Sequence, residues 1–350
     1  MANENSLGKV EVKTFTTKNF RLQSGEVLPE LKLVYETYGT LAANGRNAIL
    51  ITHGYTSSQH AAGLDANGEA GWWDNLIGPH KAIDTNKYFV VSSNMLGSSY
   101  GSTAPSSINP KTGKPYGPDF PAYTLVDIVT AQHAMLDALG VKHLVAVAGI
   151  SFGGYQAFQW GVTFPEAMDA IVPVVTAPKA DDGASLVTDL RMRFAKAPGW
   201  NGGHHYESDQ MLGFMTELRV STLKQYGIEA ELAPRFPDAA KREAVIHQVA
   251  EAWARVFDPN SLIALAQARS YFDAEKDFAK IRAKVLYVLS RTDKLFPPSI
   301  APAVMAKLKD AKVDATYFEI DSEHGHLASG ADADKWAPAL RAFMTKLENA

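Results

Sequence analysis

The sequence predicts a doubly wound α/β fold with a mostly parallel sheet and one large helical insertion. Three observations predict it. Short runs that are apolar on both faces recur along the chain, helix-patterned stretches separate them, and roughly a hundred residues in the second half carry no strand pattern. The chain opens with alternating bursts, Val10-Glu11-Val12 and Leu31-Lys32-Leu33-Val34-Tyr35, which read as antiparallel strands closed by Gly25 and Gly39. Continuous apolar runs follow at Ala48–Thr52, Tyr88–Ser92, His143–Ala148, Ala170–Thr176, Val285–Leu289 and Thr316–Ile320. Such runs suit strands covered on both sides. Thr124 and Asp127 form a capping-box start for a helix whose stripe is Leu125, Ile128, Val129, Leu136 and Leu139, with Gly140 as its stop. From Pro178 to Lys284 charge and helix formers dominate, broken by Pro198, Pro234, Pro237 and Pro259. The organisation expected is a core of residues 1–177 and 285–350 with residues 178–284 as a helical lid insertion.

Composition narrows the function. The 350 residues are 46% hydrophobic and 21% charged, so the chain can bury a large core without staples. The net charge of −4 gives no bulk drive toward nucleic acid or anionic lipid. With no cysteine, thiol catalysis and Cys-ligated metal sites are excluded. No run reaches the roughly 18 apolar residues of a membrane span. The polar start lacks a secretory pattern, so the cytoplasm is expected, with the periplasm or secretion left open if a signal was trimmed.

The sharpest motif is Gly149-Ile150-Ser151-Phe152-Gly153. G-x-S-x-G marks a strand-to-helix turn so tight that only glycine fits on either side and the serine hydroxyl stands exposed. A second match, Gly97-Ser98-Ser99-Tyr100-Gly101, runs into Thr103-Ala104-Pro105 rather than a helix, and reads as a turn. A serine nucleophile needs a base and the base a carboxylate, in the chain order Ser, acid, His for hydrolases of this architecture. Asp293 lies just past the run Val285–Leu289, and His326 just past Thr316–Ile320. His324 is the competing base, and Asp321 and Glu323 are weaker acids because they sit so near the histidine. The oxyanion hole needs two amides. Phe152 supplies one, and the loop His53-Gly54-Tyr55-Thr56 the other, at Tyr55 with Gly54 next. His53 reads as a structural residue of that loop. His204-His205 lack a carboxylate-spaced partner, so no metal is expected.

Further segments carry a resemblance. Gly71 to Pro79 (Gly-Trp-Trp-Asp-Asn-Leu-Ile-Gly-Pro), Ile83-Asp84-Thr85, Ser106 to Pro110, Gly113 to Gly117, Asp119-Phe120-Pro121, Trp200 to Gly203, Phe257 to Asn260, Tyr271-Phe272-Asp273 and Leu295 to Pro298 together resemble the homoserine O-acetyltransferase family of α/β-hydrolase-fold proteins. The resemblance spans residues 10 to 345. It implies a helical lid, a triad of Ser151, Asp293 and His326, an acyl-enzyme, acetyl-CoA as donor and a homodimer through the lid helices. It also implies a substrate-holding lid arginine, which Arg191 would supply. Departures accompany it. The family's usual Gly-Gly-Ser-Met-Gly-Gly is here Gly149-Ile150-Ser151-Phe152-Gly153-Gly154, and its His-Ala-Leu-Thr is His53-Gly54-Tyr55-Thr56. Gln267 and Ser270 replace family Arg and Asp positions, and Leu327 stands where the family carries an aspartate for the substrate's amino group. Without that carboxylate an ammonium loses a charge-assisted partner.

These departures set the expectation at a serine hydrolase that cleaves small carboxylic esters through Ser151, Asp293 and His326, with Arg191 and Leu327 at the substrate. The alternative is transfer of acetyl from acetyl-CoA to homoserine or a related alcohol. No cofactor is expected beyond acetyl-CoA as donor in that alternative. The partner expected is a small-molecule ester, not nucleic acid or membrane.

Overall fold

A computed structural model describes residues 6–181 and 183–348. Strands β1 (Lys13–Arg21) and β2 (Val27–Tyr38) form an antiparallel hairpin, with Lys13 opposite Tyr35 and Arg21 opposite Val27. After β3 (Ala48–Thr52), the short strands β4 (Ile77–Gly78) and β5 (Ile83–Asp84) pair with each other. The remaining strands are β6 (Phe89–Ser93), β7 (Leu144–Ile150), β8 (Met168–Val174), β9 (Lys284–Ser290) and β10 (Ala315–Ile320). The main sheet runs β1-β2-β6-β3-β7-β8-β9-β10 and is parallel from β6 onward. All five residues of β3 are buried, as its unbroken apolar run requires. The apolar runs foretold every central strand. Val10 to Val12 stay outside β1, because two or three alternating residues offer too little pairing to extend a hairpin.

Helices cover both faces. On one lie α1 (Leu125–Ala138), α2 (Phe152–Thr163) and α8 (Ala301–Asp310), whose Ile128, Met135, Phe158, Trp160 and Leu308 join the larger core. On the other lies α10 (Ala333–Glu348), reached through α9 (Ala328–Ala331). Its Trp336, Leu340 and Met344 meet Ala146, Val172 and Val288. The capping box on α1 is formed, with the Asp127 carboxylate accepting from the Thr124 amide at 2.8 Å. The same carboxylate accepts from the Gln23 amide at 2.7 Å, tying the hairpin to the helix.

Between β8 and β9 the named elements are helices: α3 (Gly183–Phe194), α4 (Leu212–Tyr226), α5 (Ile228–Leu232), α6 (Ala239–Ala254) and α7 (Pro259–Arg269). Helices α4 and α6 share a small core of Val220, Leu223, Ile246 and Ala250. Asp258, almost fully buried, organises the base of this insertion. Its carboxylate accepts from the Asn260 amide (3.0 Å) and the Tyr206 hydroxyl (2.9 Å) and faces His205 Nε2 (3.0 Å). Its own amide donates to Ser99 Oγ at 2.9 Å. The second G-x-S-x-G thus forms a structural turn, and the segments around residues 200–206 and 257–260 become one polar cluster. Among the described residues no helix is long and apolar enough to cross a membrane.

Trp336 is fully buried, packs on Trp73 at 5.8 Å between ring centroids and donates its indole N–H to the Ser329 carbonyl. Trp336→Ala is expected to cost about 3–5 kcal/mol, read as a lowered urea midpoint with an unchanged m-value.

Candidate active site

Ser151 lies between the end of β7 and the first residue of α2, at φ 53° and ψ −117°. A non-glycine residue held there stores about 1–3 kcal/mol of strain. The turn closes only because its flanks are bare. A Cβ on Gly149 would come 2.0 Å from Thr52 Oγ1, and one on Gly153 2.0 Å from the Thr52 carbonyl oxygen. The Ser151 carbonyl accepts from the Thr176 hydroxyl at 2.7 Å and the Gly154 amide at 2.8 Å. Phe152 opens α2, so its amide has no acceptor one turn back and stands at the positive end of the helix. Gly54 runs alongside, where a Cβ would lie 3.7 Å from Ser151 Cβ, and the Tyr55 ring stacks on Phe152 at 5.8 Å.

Asp293 and His326 meet at the ends of β9 and β10. His326 Nδ1 lies 2.8 Å from Asp293 Oδ2, and both side chains are almost wholly shielded from solvent. The other carboxylate oxygen accepts from the amides of Leu295 (2.8 Å) and Phe296 (3.3 Å). Thr292 Oγ1 donates to the Ser322 carbonyl and accepts from the Gly325 amide, which pins the two loops together. A carboxylate so fixed orients the imidazole and leaves Nε2 as a base. The competing candidates are engaged elsewhere. His324 Nδ1 pairs with Asp332 at 2.9 Å, while Asp321 and Glu323 are exposed partners of Arg291. His53 is fully buried, with its ring nitrogens 2.8 Å from the Gly54 carbonyl and from Asn94 Oδ1.

Ser151, Gly54, Tyr55, His326 and Leu327 line one cavity of about 230 Å³, which also receives Trp72, Tyr226 and Arg219. A wider cavity of about 340 Å³ adjoins it across Ser151, Tyr55 and Tyr226, with Phe152, Tyr155, Leu186 and Phe296 on its walls. Arg219 is the residue the sequence reading missed. Its Nη1 donates to Thr56 Oγ1 at 2.8 Å, its guanidinium lies 4.9 Å from the Trp253 ring centroid, and its Nε is buried without a partner. Among the described residues no carboxylate pairs with it, and burial pulls the guanidinium below its ordinary pKa. A buried charge without a counterion is costly, so this cation is set to receive an anion. Burial also raises the pKa of the neighbouring Tyr226 phenol, whose ring lies 4.9 Å from that of His326.

Arg191 does not reach the site. Val187, Leu190 and Phe194 take the buried positions of α3, and Arg191 is exposed. Arg219 sits on one helical stripe with Met215, Leu223 and Tyr226, and a lone arginine in an apolar stripe was the available signal. Among the described residues no cluster of His, Asp and Glu could hold a metal ion.

Residues 47–330 match the alpha/beta hydrolase fold family. The chain is 37% identical to the homoserine O-acetyltransferase of Methanococcus vannielii, over 97% of this chain and 74% of that one. It is 36% identical to the homoserine O-succinyltransferase of Methylibium petroleiphilum, over 93% and 91%. The chain belongs to the homoserine O-acetyltransferase-like family of the α/β-hydrolase fold. Among solved structures, homoserine O-acetyltransferase from Bacillus anthracis superposes with a TM-score of 0.86 at 28% identity, covering 97% of this chain and 98% of that one. Esterase E22 superposes with a TM-score of 0.86 at 29% identity, covering 96% and 100%. This member of the family is an enzyme of the serine esterase and acyltransferase class.

The relatives overturn the expectation of a carboxylic ester hydrolase. Proteins similar over nearly the whole chain are named as homoserine acyltransferases, which favours transfer to an acceptor. A serine, a base and an oxyanion hole serve both outcomes up to the acyl-enzyme, so they do not discriminate. The departures at the elbow, the His53–Thr56 loop, Gln267, Ser270 and Leu327 are outweighed by similarity along the full length.

Asp293→Asn is expected to lower the acylation rate about 10³–10⁴-fold with the fold intact, whereas Asp321→Asn and Glu323→Gln stay within about twofold of the parent, as exposed side chains should. Nitrophenolate release from p-nitrophenyl acetate reads all three. Gly153→Ala forces a Cβ onto the Thr52 carbonyl and is expected to cost about 1–3 kcal/mol or more, measured by thermal unfolding.

Proposed function

We propose that the chain transfers an acetyl group from acetyl-CoA to the hydroxyl of homoserine through an acyl-enzyme on Ser151. The observation that carries this reading is Arg219, a buried guanidinium with no carboxylate partner among the described residues, in the same cavity as Ser151 and His326. The guanidinium lines that cavity, where it would meet the acceptor's carboxylate and bring a hydroxyl on a short chain toward the serine. The similarity to homoserine acyltransferases supports the same acceptor.

In this mechanism Ser151 Oγ attacks the thioester carbonyl as His326 Nε2 removes its proton. Asp293 holds the imidazole and stabilises its charge. The amides of Phe152 and Tyr55, with Gly54 beside them, hold the oxyanion, each donor being worth about 3–4 kcal/mol in such sites. The CoA thiol leaves with the proton from His326. The acceptor hydroxyl then gives its proton to His326 and attacks the acyl carbon, and collapse of the second tetrahedral species returns the proton to Ser151. Acetyl-CoA is a co-substrate here, and no resident cofactor takes part. The helical insertion acts as a lid over this chemistry. Leu327 makes an apolar wall beside His326, which disfavours water at the acyl-enzyme.

The test follows free thiol from acetyl-CoA with and without homoserine. The expected result is release that requires both homoserine and Ser151, abolished in Ser151→Ala. Arg219→Leu is expected to raise the KM for homoserine about 10–100-fold, the value of a lost charge-assisted hydrogen bond. Thiol release indifferent to homoserine would sink the reading.

A further inference from the structure

The loop expected to supply the second oxyanion donor is held from two sides. From the core, Gln156 Nε2 reaches the His53 carbonyl at 3.4 Å, and Asn94 faces the His53 ring. Beyond Gly54 the loop makes a tight turn, in which the Ser57 amide donates to the Gly54 carbonyl at 3.2 Å and Tyr55 and Thr56 occupy the centre. Several ties from this turn run to the helical insertion. The Tyr55 hydroxyl donates to the Leu262 carbonyl on α7. Trp253 Nε1, on α6, donates to the Thr56 carbonyl at 3.0 Å in a buried bond. Arg219, on α4, donates to the Thr56 hydroxyl. The Trp253 ring also carries the Arg219 guanidinium, and Phe257 stacks on it at 4.8 Å and 18°.

We propose that Trp253 is a positioning residue for the oxyanion hole: its indole N–H fixes the Thr56 carbonyl while its ring supports Arg219, so one insertion side chain aligns the acyl-transfer loop and the acceptor-binding cation together. A hydrogen-bonded four-residue turn moves as a unit. Holding its third residue therefore aims the amide of its second, Tyr55. The oxyanion hole needs its donors placed within a few tenths of an ångström, so a turn left to relax loses rate without losing substrate affinity. The part played by Arg219 rests on the acyltransferase reading above, but the alignment of the loop does not.

The experiment compares the parent with Trp253→Phe, which keeps a ring beneath Arg219 and deletes the N–H. Single-turnover release of nitrophenolate from p-nitrophenyl acetate gives the acylation rate, and its amplitude counts competent Ser151. Trp253→Phe is expected to slow acylation about tenfold or more, part of the loss seen when a donor is deleted outright, with the amplitude per folded molecule unchanged and homoserine KM within about twofold. Trp253→Leu, which removes the ring as well, is expected to raise that KM in addition. A rate within twofold of the parent would overturn the proposal. So would a fall in amplitude alone, which marks a merely structural role. Should Trp253→Phe fail to fold, benzothienylalanine incorporated at position 253 decides, since it keeps the bicyclic ring and lacks the N–H that reaches the Thr56 carbonyl: slower acylation supports the proposal, an unchanged rate overturns it. The nitrophenyl ester needs neither CoA nor homoserine. A parent enzyme that acylates with it yet shows no homoserine-dependent thiol release would defeat the function proposed above and leave the alignment of the loop standing.

Discussion

The first turn of α2 crosses the end of β3 at Thr52, with no side chain at Gly149 or Gly153 to hold them apart. There Thr52 Oγ1 donates to the Gly153 carbonyl at 2.8 Å, and the space a Cβ would need at Gly149 or Gly153 is already filled by Thr52. That crossing holds Ser151 in its left-handed conformation. Left to itself, a serine would relax out of it; three adjacent buried strands, β3, β7 and β8, hold the frame against the strain. Everything at the site is placed relative to this point. The helix begins at Phe152, so a free amide and the positive end of α2 face the position an oxyanion would take. The loop after β3 leaves the same crossing and carries Gly54 and Tyr55 past the serine.

The insertion is joined to the site at the other end of that loop. Arg219, Trp253 and Leu262 come from three helices and converge on two neighbouring residues, Tyr55 and Thr56. The base of the insertion is in turn seated on the sheet domain by the Asp258 amide against Ser99. A polar path of short bonds thus runs from the loop after β6 through α7 to the loop after β3. The repeated G-x-S-x-G at residues 97–101 belongs to this path, which explains why a serine at its centre is buried rather than presented.

Much of the architecture was legible because burial on both faces of a sheet writes itself into consecutive residues. Runs such as Ala48–Thr52 need no partner to be recognised. Ser151, Asp293 and His326 were legible for a related reason: each lies just beyond such a run, so strand ends predict where the side chains gather. Arg219 was not, because its role depends on three helices folding together, and only its place in an apolar stripe hinted at it. Arg191 looked equivalent in sequence, yet the two arginines differ in which way their helices face, and helix orientation is a tertiary fact. The choice between water and an alcohol as the second nucleophile was illegible for a deeper reason. It depends on the shape and dryness of a cavity lined by the loops of the sheet and by α4, while Ser151, Asp293 and His326 would serve either case.

One feature of the sheet bears on how such a site can change over time. Asp293 and His326 are separated by 33 residues, yet their spacing is set by the parallel register of β9 and β10, in which Ser290 lies beside Ile320 and the Thr292 hydroxyl bridges the loops just beyond. The chain between them lines the wider cavity as far as Ile300, then runs away along α8 and comes back to the site only at the end of β10. Its length does not enter the distance between acid and base. Insertions, deletions or even new chain ends around Ala311 and Lys312 could accumulate there while Asp293 and His326 kept their separation, so the stretch beyond α8 is free to drift as a variable spacer on an invariant frame.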